Sequence, residues 1–297
     1  MQIVRTGEEL AAIRQLVHRT SALEPHTGSA SPSSARIGFV PTMGALHEGH
    51  LSLLALAREA VGPDGVVVAS IFVNPTQFAP HEDFDAYPRP LERDRELLAA
   101  AGCGVLFLPE HETIYPANFG SWIYPAGAAR GLEGDQRPQF FRGVATVVSR
   151  LFALVRPDVA VFGEKDAQQL AVIRQLVRDL GLPIEIVGGP IVREADGLAM
   201  SSRNVYLSAE ERSRAAAIFT ALSQAKTLFE KGERRGGVLR ECVTGELEST
   251  PGMTVQYVQI VDPISFQPIP RVESDALVAV AAKLGKTRLI DNIRLRA

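Results

Sequence analysis

Short apolar runs rich in Val and Ile alternate with segments of helical periodicity over the first two thirds of the chain. The runs predict strands at Ile37–Val40, Val66–Val73, Val105–Leu108, Val159–Phe162 and Ile184–Val187. The periodic segments predict helices at Glu8–His18, Gly49–Val61, Pro90–Ala101, Gly143–Val155 and Asp166–Leu180. Because apolar strands separated by helices are typical of parallel sheets covered on both faces, the pattern predicts a Rossmann-like, doubly wound α/β domain. In such sheets ligands bind beyond the carboxyl ends of the strands.

The pattern changes after about Ile191. A helical segment at Ser208–Lys231 is followed by alternating strands at Thr254–Val261, Ala276–Ala282 and Thr287–Ile290. This order predicts a smaller C-terminal α+β domain, so we expect domains at 1–191 and 192–297.

Two segments lack regular periodicity. Thr20–Ala35, rich in Ser, Pro, Gly and Thr, predicts an exposed loop, and the glycine-bearing Gly127–Gly143 predicts a mobile flap.

Composition narrows the class of protein. Apolar residues make up 46% of the 297 residues and charged residues 22%, which is typical of a soluble globular protein. The net charge of −3 offers no basic stripe for a nucleic acid. The two cysteines, Cys103 and Cys242, lack metal or redox spacing, which indicates a reducing compartment. Met1–Leu10 does not resemble a signal peptide, and no apolar run is long enough to span a bilayer. We therefore expect a cytoplasmic location without membrane partners.

Met43–His50 holds two glycines and two histidines between a predicted strand, which we expect Pro41 to end, and a predicted helix. A glycine-bearing turn that opens a helix brings backbone N–H groups and the positive end of the helix dipole to an anion. The spacing Gly44-x4-Gly49 approaches a phosphate-binding P-loop, but His50 and Leu51 replace the required Lys and Ser or Thr. The alternatives are a metal pair, for which no third ligand is near, and two solvated histidines.

Three further sets of polar residues are candidates for the same chemistry. Lys165, in the segment that follows Val159–Phe162, suits phosphate oxygens, although Asp166 of that segment also suits a helix cap. Met200–Arg203 is either a common surface turn or a mobile loop that brings hydroxyls and a cation to a triphosphate. Gln77 and Gln169 each follow a strand end, and an amide suits the hydroxyl and carboxylate of a small acid, although glutamine is usually a surface residue.

The spacing His47-x-Gly49-His50 resembles the nucleotidyltransferase superfamily, in which two imidazoles contact ATP phosphates. Several segments together resemble the pantothenate synthetase family: Pro41–Ser52, Phe72–Phe78, Asp85–Arg89, Phe141–Val144, Phe162–Gln169 and Met200–Leu207. In that family ATP and pantoate form pantoyl adenylate and pyrophosphate, and β-alanine then attacks the acyl group to give pantothenate and AMP. The resemblance also implies Mg²⁺ with ATP and a homodimer.

Residue roles follow from this resemblance by matching positions. The ATP site is implied to include Met43, Gly44, Ala45, Leu46, His47, Glu48, Gly49, His50, Gly163, Glu164, Lys165, Asp166, Val192, Met200, Ser201, Ser202 and Arg203. Among these, His50 matches the proton donor, His47 and Lys165 match phosphate contacts, and Val192 matches a contact to the adenine region. Met200–Arg203 is expected to close over the triphosphate. Gln77 is implied to bind pantoate and β-alanine, and Gln169 and Arg137 are implied to bind pantoate.

Two features depart from the family pattern. Thr76 replaces a large apolar residue, so we expect a looser pocket floor beside Gln77, and Ser21–Ala35 is longer than expected before the first strand. One alternative function is a nucleotidyltransferase with a phosphorylated acceptor, which requires additional cations. Another is a non-catalytic nucleotide-binding module. A dehydrogenase is disfavoured because no G-x-G-x-x-G follows the first strand.

Overall fold

The computed structural model describes residues 1–23, 35–80 and 82–296. Contacts divide the chain into two compact units. The first comprises Met1–Tyr124, Gln139–Gly163 and Ile173–Gly189, and the second comprises Pro125–Pro138, Glu164–Val172 and Pro190–Ala297. The boundary expected between residues 191 and 192 stays a prediction, because contacts within one chain do not measure whether a segment folds by itself. None of the helices in the described ranges has both the length and the apolar character needed to cross a bilayer.

The first unit contains a six-stranded sheet in which every pairing is parallel. Its strands are β1 (Gln2–Val4), β2 (Ile37–Thr42), β3 (Val66–Ile71), β4 (Val105–Phe107), β5 (Val159–Gly163) and β6 (Glu185–Gly189). The spatial order is β1-β4-β3-β2-β5-β6, so the chain leaves β2 toward one edge and later resumes at β5 toward the other. This reversal confirms the doubly wound α/β fold and places its switch point between β2 and β5.

Pro41 lies inside β2, so the expectation that it ends this strand is wrong. The backbone explains why it is tolerated. The carbonyl groups of Arg36 and Thr42 accept hydrogen bonds on the β3 side, whereas that of Ile37 accepts from Asp158 on the β5 side. By alternation Pro41 faces the β5 side, where the parallel pairing ends at Phe39. The position without an N–H therefore falls where the pairing with β5 has ended, while the pairing with β3 continues to Thr42.

Ten α-helices are present in the described residues. They are α1 (Gly7–Leu23), α2 (Glu48–Val61), α3 (Leu91–Ala100), α4 (His111–Ile114), α5 (Glu133–Gln136), α6 (Phe140–Val155), α7 (Ala167–Asp179), α8 (Ala209–Ala215), α9 (Ala217–Glu230) and α10 (Gly236–Ser249). The first helix is longer than predicted and includes four residues of the expected loop at 20–35; residues 24–34 of that loop lie outside the described residues.

Apolar residues of β2, α2, α3 and β4 form a core of the first unit. It includes Val40, Leu54, Leu98 and Leu106, all nearly inaccessible to solvent. Cys103 belongs to the same core, and burial raises the pKa of its thiol. The thiolate required for reactivity is therefore disfavoured there.

The second unit contains an antiparallel sheet in the order β7 (Met253–Val261), β8 (Asp275–Leu284), β9 (Thr287–Arg296). Its core combines Leu222 of α9 and Leu239 of α10 with Val278 and Leu295 of the sheet. The predicted helix at 208–231 is divided in two at Ala216, and α10 was not predicted. The small α+β unit expected from the sequence is otherwise confirmed.

Candidate active site

The turn between β2 and α2 places both histidines of Met43–His50 at the N-terminus of α2. His47 is the N-cap, and its Nδ1 accepts a hydrogen bond of 3.2 Å from the Gly49 N–H. The Nδ1 of His50 accepts one of 3.3 Å from the His47 N–H. Because an accepting ring nitrogen carries no proton, each neutral ring is protonated at Nε2. The two rings, 4.1 Å apart between centroids, are therefore held as Nε2–H donors.

Asp94 of α3 fixes the preceding part of this turn. Its carboxylate is 1% exposed, and its two oxygens each accept a hydrogen bond of 2.8 Å, one from the Ala45 N–H and one from the Leu46 N–H. Ala45 has φ of 51°, a backbone conformation that is unfavourable for L-residues and needs such support. The sequence analysis missed Asp94, because an aspartate among Glu and Arg residues is typical of a solvated helix face.

A second turn, at the end of β3, orients Gln77. Asn74 is 1% exposed, and its Oδ1 accepts from the Thr76 N–H and the Tyr115 hydroxyl at 3.3 and 2.9 Å. Its Nδ2 therefore faces the Gly143 carbonyl oxygen, at 3.3 Å, and Gln77 Oε1, at 3.0 Å. Since Oε1 of Gln77 is directed to Asn74, the other end of this amide is the donating NH₂ group.

Thr76 takes part in the same network. Its hydroxyl lies 3.0 Å from Asn74 Oδ1 and 3.2 Å from the Tyr115 hydroxyl. Because the Tyr115 hydroxyl donates to Asn74, the single Thr76 hydroxyl proton is donated to one of these two oxygens at a time, and an apolar residue would donate to neither. The departure from the family pattern therefore adds polar contacts beside Gln77.

Lys165 lies in a 3-10 turn, Glu164–Asp166, that directly follows Gly163 at the end of β5. Its side chain is 20% exposed, and Nζ lies 3.9 Å from Asp166 Oδ2. The amide Nδ2 of Asn292 donates to the carbonyl oxygens of Glu164 and Lys165 at 2.9 and 3.0 Å. The backbone of this turn is thus held by a residue of β9, which the sequence analysis also missed.

Val192 and Met200 are brought together within the second unit. The Met200 N–H donates to the Val192 carbonyl oxygen at 3.0 Å, and the neighbouring Arg193 and Ala199 form an antiparallel bridge. Ser201 Oγ then accepts from the Arg203 N–H at 3.3 Å and caps a 3-10 turn over Ser202–Tyr206. Met200–Arg203 therefore leads into a hydrogen-bonded turn, and its expected closure over a triphosphate stays a prediction.

The two consecutive glutamines of α7 differ in their surroundings. Gln168 is 4% exposed; its Oε1 accepts from the Glu133 N–H at 3.0 Å, and its Nε2 faces carbonyl oxygens of Ala128, Arg130 and Gly131 at 3.0 to 3.2 Å. Gln169 is only partly buried. Gln168 therefore holds the segment that the sequence predicts as a flap, and Gln169 is left as the candidate for binding.

Arg137 lies beside a buried carboxylate. Its Nη1 is 3.8 Å from Glu133 Oε2, and Glu133, 5% exposed, also accepts from Arg288 and from the Tyr257 hydroxyl at 2.8 Å. Burial, and secondly the charge of Glu133, raise the pKa of Tyr257 far above its usual value. Arg137 thus belongs to a buried ionic cluster as well as to the set predicted for pantoate.

The predicted site residues are divided between the two units. Met43–His50, Gln77 and Gly163 belong to the first; Glu164–Asp166, Gln169, Val192, Met200–Arg203 and Arg137 belong to the second. The family model described as pantoate-beta-alanine ligase matches residues 12–294. The chain belongs to the pantoate-beta-alanine ligase family.

The similarity to individual members of the family supports this assignment. A pantothenate synthetase of Herpetosiphon aurantiacus is 48% identical over 294 residues, which cover 99% of each chain. The crystal structure of pantothenate synthetase from Thermus thermophilus matches with a TM-score of 0.87 and 44% identity over 99% of each chain. That of pantoate-beta-alanine ligase from Francisella tularensis, complexed with beta-gamma ATP and beta-alanine, matches with a TM-score of 0.76 and 33% identity over 99% of this chain and 97% of that one.

The resemblance to this family predicted from the motifs is therefore confirmed. Membership in the pantoate-beta-alanine ligase family also agrees with the fold, since a six-stranded parallel sheet and a small antiparallel sheet are both present. The roles predicted for individual site residues stay predictions.

Proposed function

We propose that the chain condenses (R)-pantoate with β-alanine in an ATP-dependent, two-step reaction. The pantoate carboxylate attacks the α-phosphorus of ATP, which forms pantoyl adenylate and releases pyrophosphate. The β-alanine amine then attacks the acyl carbon, which forms pantothenate and releases AMP. Family membership supports this reaction, and the observation that carries it is the pair of histidines held as Nε2–H donors at the start of α2.

Donors fixed before the reaction suit the first step. Attack on the α-phosphorus places negative charge on its oxygens and on the departing pyrophosphate, and fixed N–H donors stabilise that charge without reorganising. The N-terminus of α2 adds the positive end of its dipole. We assign the proton-donor role to His50 and a phosphate contact to His47.

Cations and hydroxyls beyond α2 complete the proposed ATP contacts. Lys165 and Arg203 offset the repulsion between the pantoate carboxylate and the triphosphate, Ser201 and Ser202 supply hydroxyls, and Val192 contacts the adenine region. Mg²⁺ is proposed to accompany ATP as part of the substrate, since it commonly binds through substrate phosphates and keeps several waters. Within the described ranges, no three His, Cys, Asp or Glu side chains cluster as metal ligands.

We assign the binding of pantoate mainly to side-chain amides. The donating NH₂ end of Gln77, set by Asn74, suits the carboxylate or hydroxyl oxygens of pantoate and, in the second step, β-alanine. Gln169 and Arg137 are the further pantoate contacts that we propose. The family resemblance also supports a homodimer, and the free state of both cysteines agrees with a cytoplasmic location.

Pantoate-dependent exchange between ATP and labelled pyrophosphate tests the first step, and AMP release with each substrate omitted in turn tests the whole reaction. Exchange is expected with pantoate alone, and pantothenate only when β-alanine is added. ATP binding without either product would instead support a non-catalytic nucleotide-binding module.

Two substitutions of His50 test its role. His50→Gln keeps a side-chain oxygen for the helix cap and an amide N–H donor but loses the imidazole that can transfer a proton, whereas His50→Ala removes all three. Both variants are expected to lose about 100-fold or more of the exchange rate, while His50→Gln keeps more of the wild-type stability. Near-normal exchange by either folded variant would remove His50 from the reaction.

A further inference from the structure

Strand β9 carries two consecutive buried polar residues that the proposed reaction does not use. Asp291 and Asn292 are 4% and 6% exposed. A buried polar side chain is costly unless it is hydrogen-bonded, so their partners show what they hold. Those partners lie within the second unit, in two segments that carry predicted ATP contacts.

Asn292 holds the turn that carries Lys165. Its amide faces two carbonyl oxygens, those of Glu164 and Lys165, at 2.9 and 3.0 Å. Carbonyl oxygens only accept, so the facing atom is Nδ2, and its two N–H groups suffice for both. The backbone from which the Lys165 side chain extends is therefore fixed at two consecutive peptide groups.

Asp291 holds the beginning of the segment that leads to Met200–Arg203. Arg193 Nη1 donates to Asp291 Oδ2 at 2.6 Å, and Nη2 donates to Oδ1 at 3.0 Å. The same guanidinium donates to the Gly197 carbonyl oxygen at 3.0 Å and lies 4.3 Å from the ring centre of Phe219. Arg193 directly follows Val192, so this ion pair fixes the backbone next to the predicted adenine contact.

The hydrogen bonds of Asn292 and those of Asp291 are connected to each other. Arg193 Nη2 also donates to the Asn292 carbonyl oxygen at 3.2 Å, and the Asn292 N–H donates to Asp291 Oδ1 at 2.7 Å. Burial raises the pKa of Asp291, and the hydrogen bonds from Arg193 oppose that rise. Arg193, Asp291 and Asn292 thus form one continuous network with the Lys165 turn.

We propose that Asp291 and Asn292 are positioning residues for adenylation, which set the Lys165 turn and the Val192–Arg203 segment from a single place on β9. The proposal rests on the proposed function, since it assigns Lys165 and Arg203 to ATP. Its physical basis is that a displacement of about 1 Å in the groups that position a reaction lowers its rate about 100-fold. Asn292 acts through the position of Lys165, because the two N–H groups of its amide are directed to the carbonyl oxygens of that turn.

The variant Asn292→Ala tests the proposal, with Asp275→Asn as its matched control. Asp275 of β8 forms an ion pair with Arg294 of β9, two residues from Asn292, and within the described part of the chain its carboxylate makes no hydrogen bond to the Lys165 turn. We expect Asn292→Ala to lower kcat of pantoate-dependent exchange about 10- to 100-fold, with KM for pantoate within about twofold of wild type. Asp275→Asn is expected to keep the wild-type kcat.

A double-mutant cycle separates positioning from general support of the fold. If Asn292 acts through Lys165, then Asn292→Ala in a Lys165→Ala background lowers the remaining exchange by less than about threefold. Equal effects of Asn292→Ala with and without Lys165 would overturn the proposal. If Asn292→Ala does not fold, Asn292→Ser, which keeps one donor but is too short for both carbonyls, replaces it in the cycle.

Hydrogen–deuterium exchange tests, without any turnover of substrate, whether Asn292 holds the backbone of the Lys165 turn. Amides of residues 163–167 are expected to exchange faster in Asn292→Ala than in wild type, and at the wild-type rate in Asp275→Asn. Unchanged protection of this segment would overturn the positioning role. A different result would contradict the proposed function instead: a wild-type protein that shows no pantoate-dependent ATP–pyrophosphate exchange, although the protection of residues 163–167 still depends on Asn292. In that case the contact between Asn292 and the Lys165 turn would remain established.

Discussion

At the scale of single residues, Gly143 is the position where α6 packs closely against the turn that orients Gln77. A Cβ at this position would lie 2.4 Å from the Thr76 carbonyl oxygen and 2.7 Å from its carbonyl carbon. Backbone atoms cannot swing aside as the end of a flexible side chain does. Any side chain at position 143 must therefore move α6 or the Asn74–Gln77 turn.

The substitution Gly143→Ala is accordingly expected to lower the free energy of unfolding by about 1–3 kcal/mol and to raise KM for pantoate. Urea unfolding and steady-state kinetics measure the two effects. Gly237→Ala is the control, because a Cβ there meets no atom within 4 Å. It is expected to leave KM unchanged, and since Ala favours helices it does not destabilise α10. An unaltered KM in Gly143→Ala would show that the turn tolerates the shift.

Individual residues differ in how far the sequence predicts them. The segment Met43–His50 could be found because its glycines, its histidines and the helix that it opens are adjacent along the chain. Asp94 and Asn292 could not, because their partners lie 49 and 127 residues away and nothing local distinguishes them. Gln168 and Gln169 show the same limit, since only the folded chain shows which of the two is committed to carbonyl groups.

At the scale of elements, α3 supports the turn between β2 and α2 through a single side chain, that of Asp94. Asp94 accepts two backbone hydrogen bonds with two carboxylate oxygens, whereas an asparagine has one accepting oxygen and an NH₂ group that would face a second donor. Hydrogen bonds to a charged group contribute about 1.5–3 kcal/mol each. The connection between α3 and the turn therefore depends on the charge of Asp94.

We expect Asp94→Asn to raise KM for ATP about tenfold or more, because the Ala45–Leu46 backbone loses one fixed partner. Glu92→Gln, an exposed change on the same helix in a residue paired with Arg95, is the control and leaves KM for ATP unchanged. Calorimetric titration with ATP checks binding separately from turnover. Equal ATP affinity in both variants would show that the turn keeps its shape without the carboxylate.

Elements whose own residues carry a strong pattern were predicted, and those that depend on packing were not. The apolar strands β3 and β5 and the amphipathic α6 were found close to their observed bounds. The helix α10 was missed, because glycines at 236, 237 and 245 weaken its pattern, and packing of its buried leucines stabilises it instead. In β2 the alternation of hydrogen-bonding sides, which the sequence does not show, outweighs the tendency of Pro41 to end a strand.

At the scale of the whole molecule, the buried cluster of Glu133, Tyr257 and Arg288 couples stability to alkaline pH. Burial and the neighbouring Glu133 carboxylate hold the pKa of Tyr257 far above 10, whereas in the unfolded chain a tyrosine loses its proton near pH 10. Above that pH the unfolded state binds fewer protons than the folded state, so stability falls as pH rises. The contribution is fully present below about pH 10.

Urea unfolding between pH 8 and pH 12 is expected to show a loss approaching about 1.4 kcal/mol per pH unit above pH 10 from this group. In Tyr257→Phe that part of the slope is expected to disappear. Tyr124→Phe, which removes a hydroxyl from a side chain that is 71% exposed, keeps the wild-type slope. Parallel pH profiles for wild type and Tyr257→Phe would contradict the assignment.

The sequence distance between the Lys165 turn and Asn292 also has a consequence in time. During synthesis Asn292 is added 127 residues after Lys165, which at 5–20 residues per second is about 6 to 25 s later. Until β9 has emerged, the carbonyl groups of Glu164 and Lys165 lack the amide that holds them. A nascent chain therefore passes through a period in which Lys165 is present but its turn is not yet held by Asn292, so this turn takes its final form only after β9 has joined the second unit.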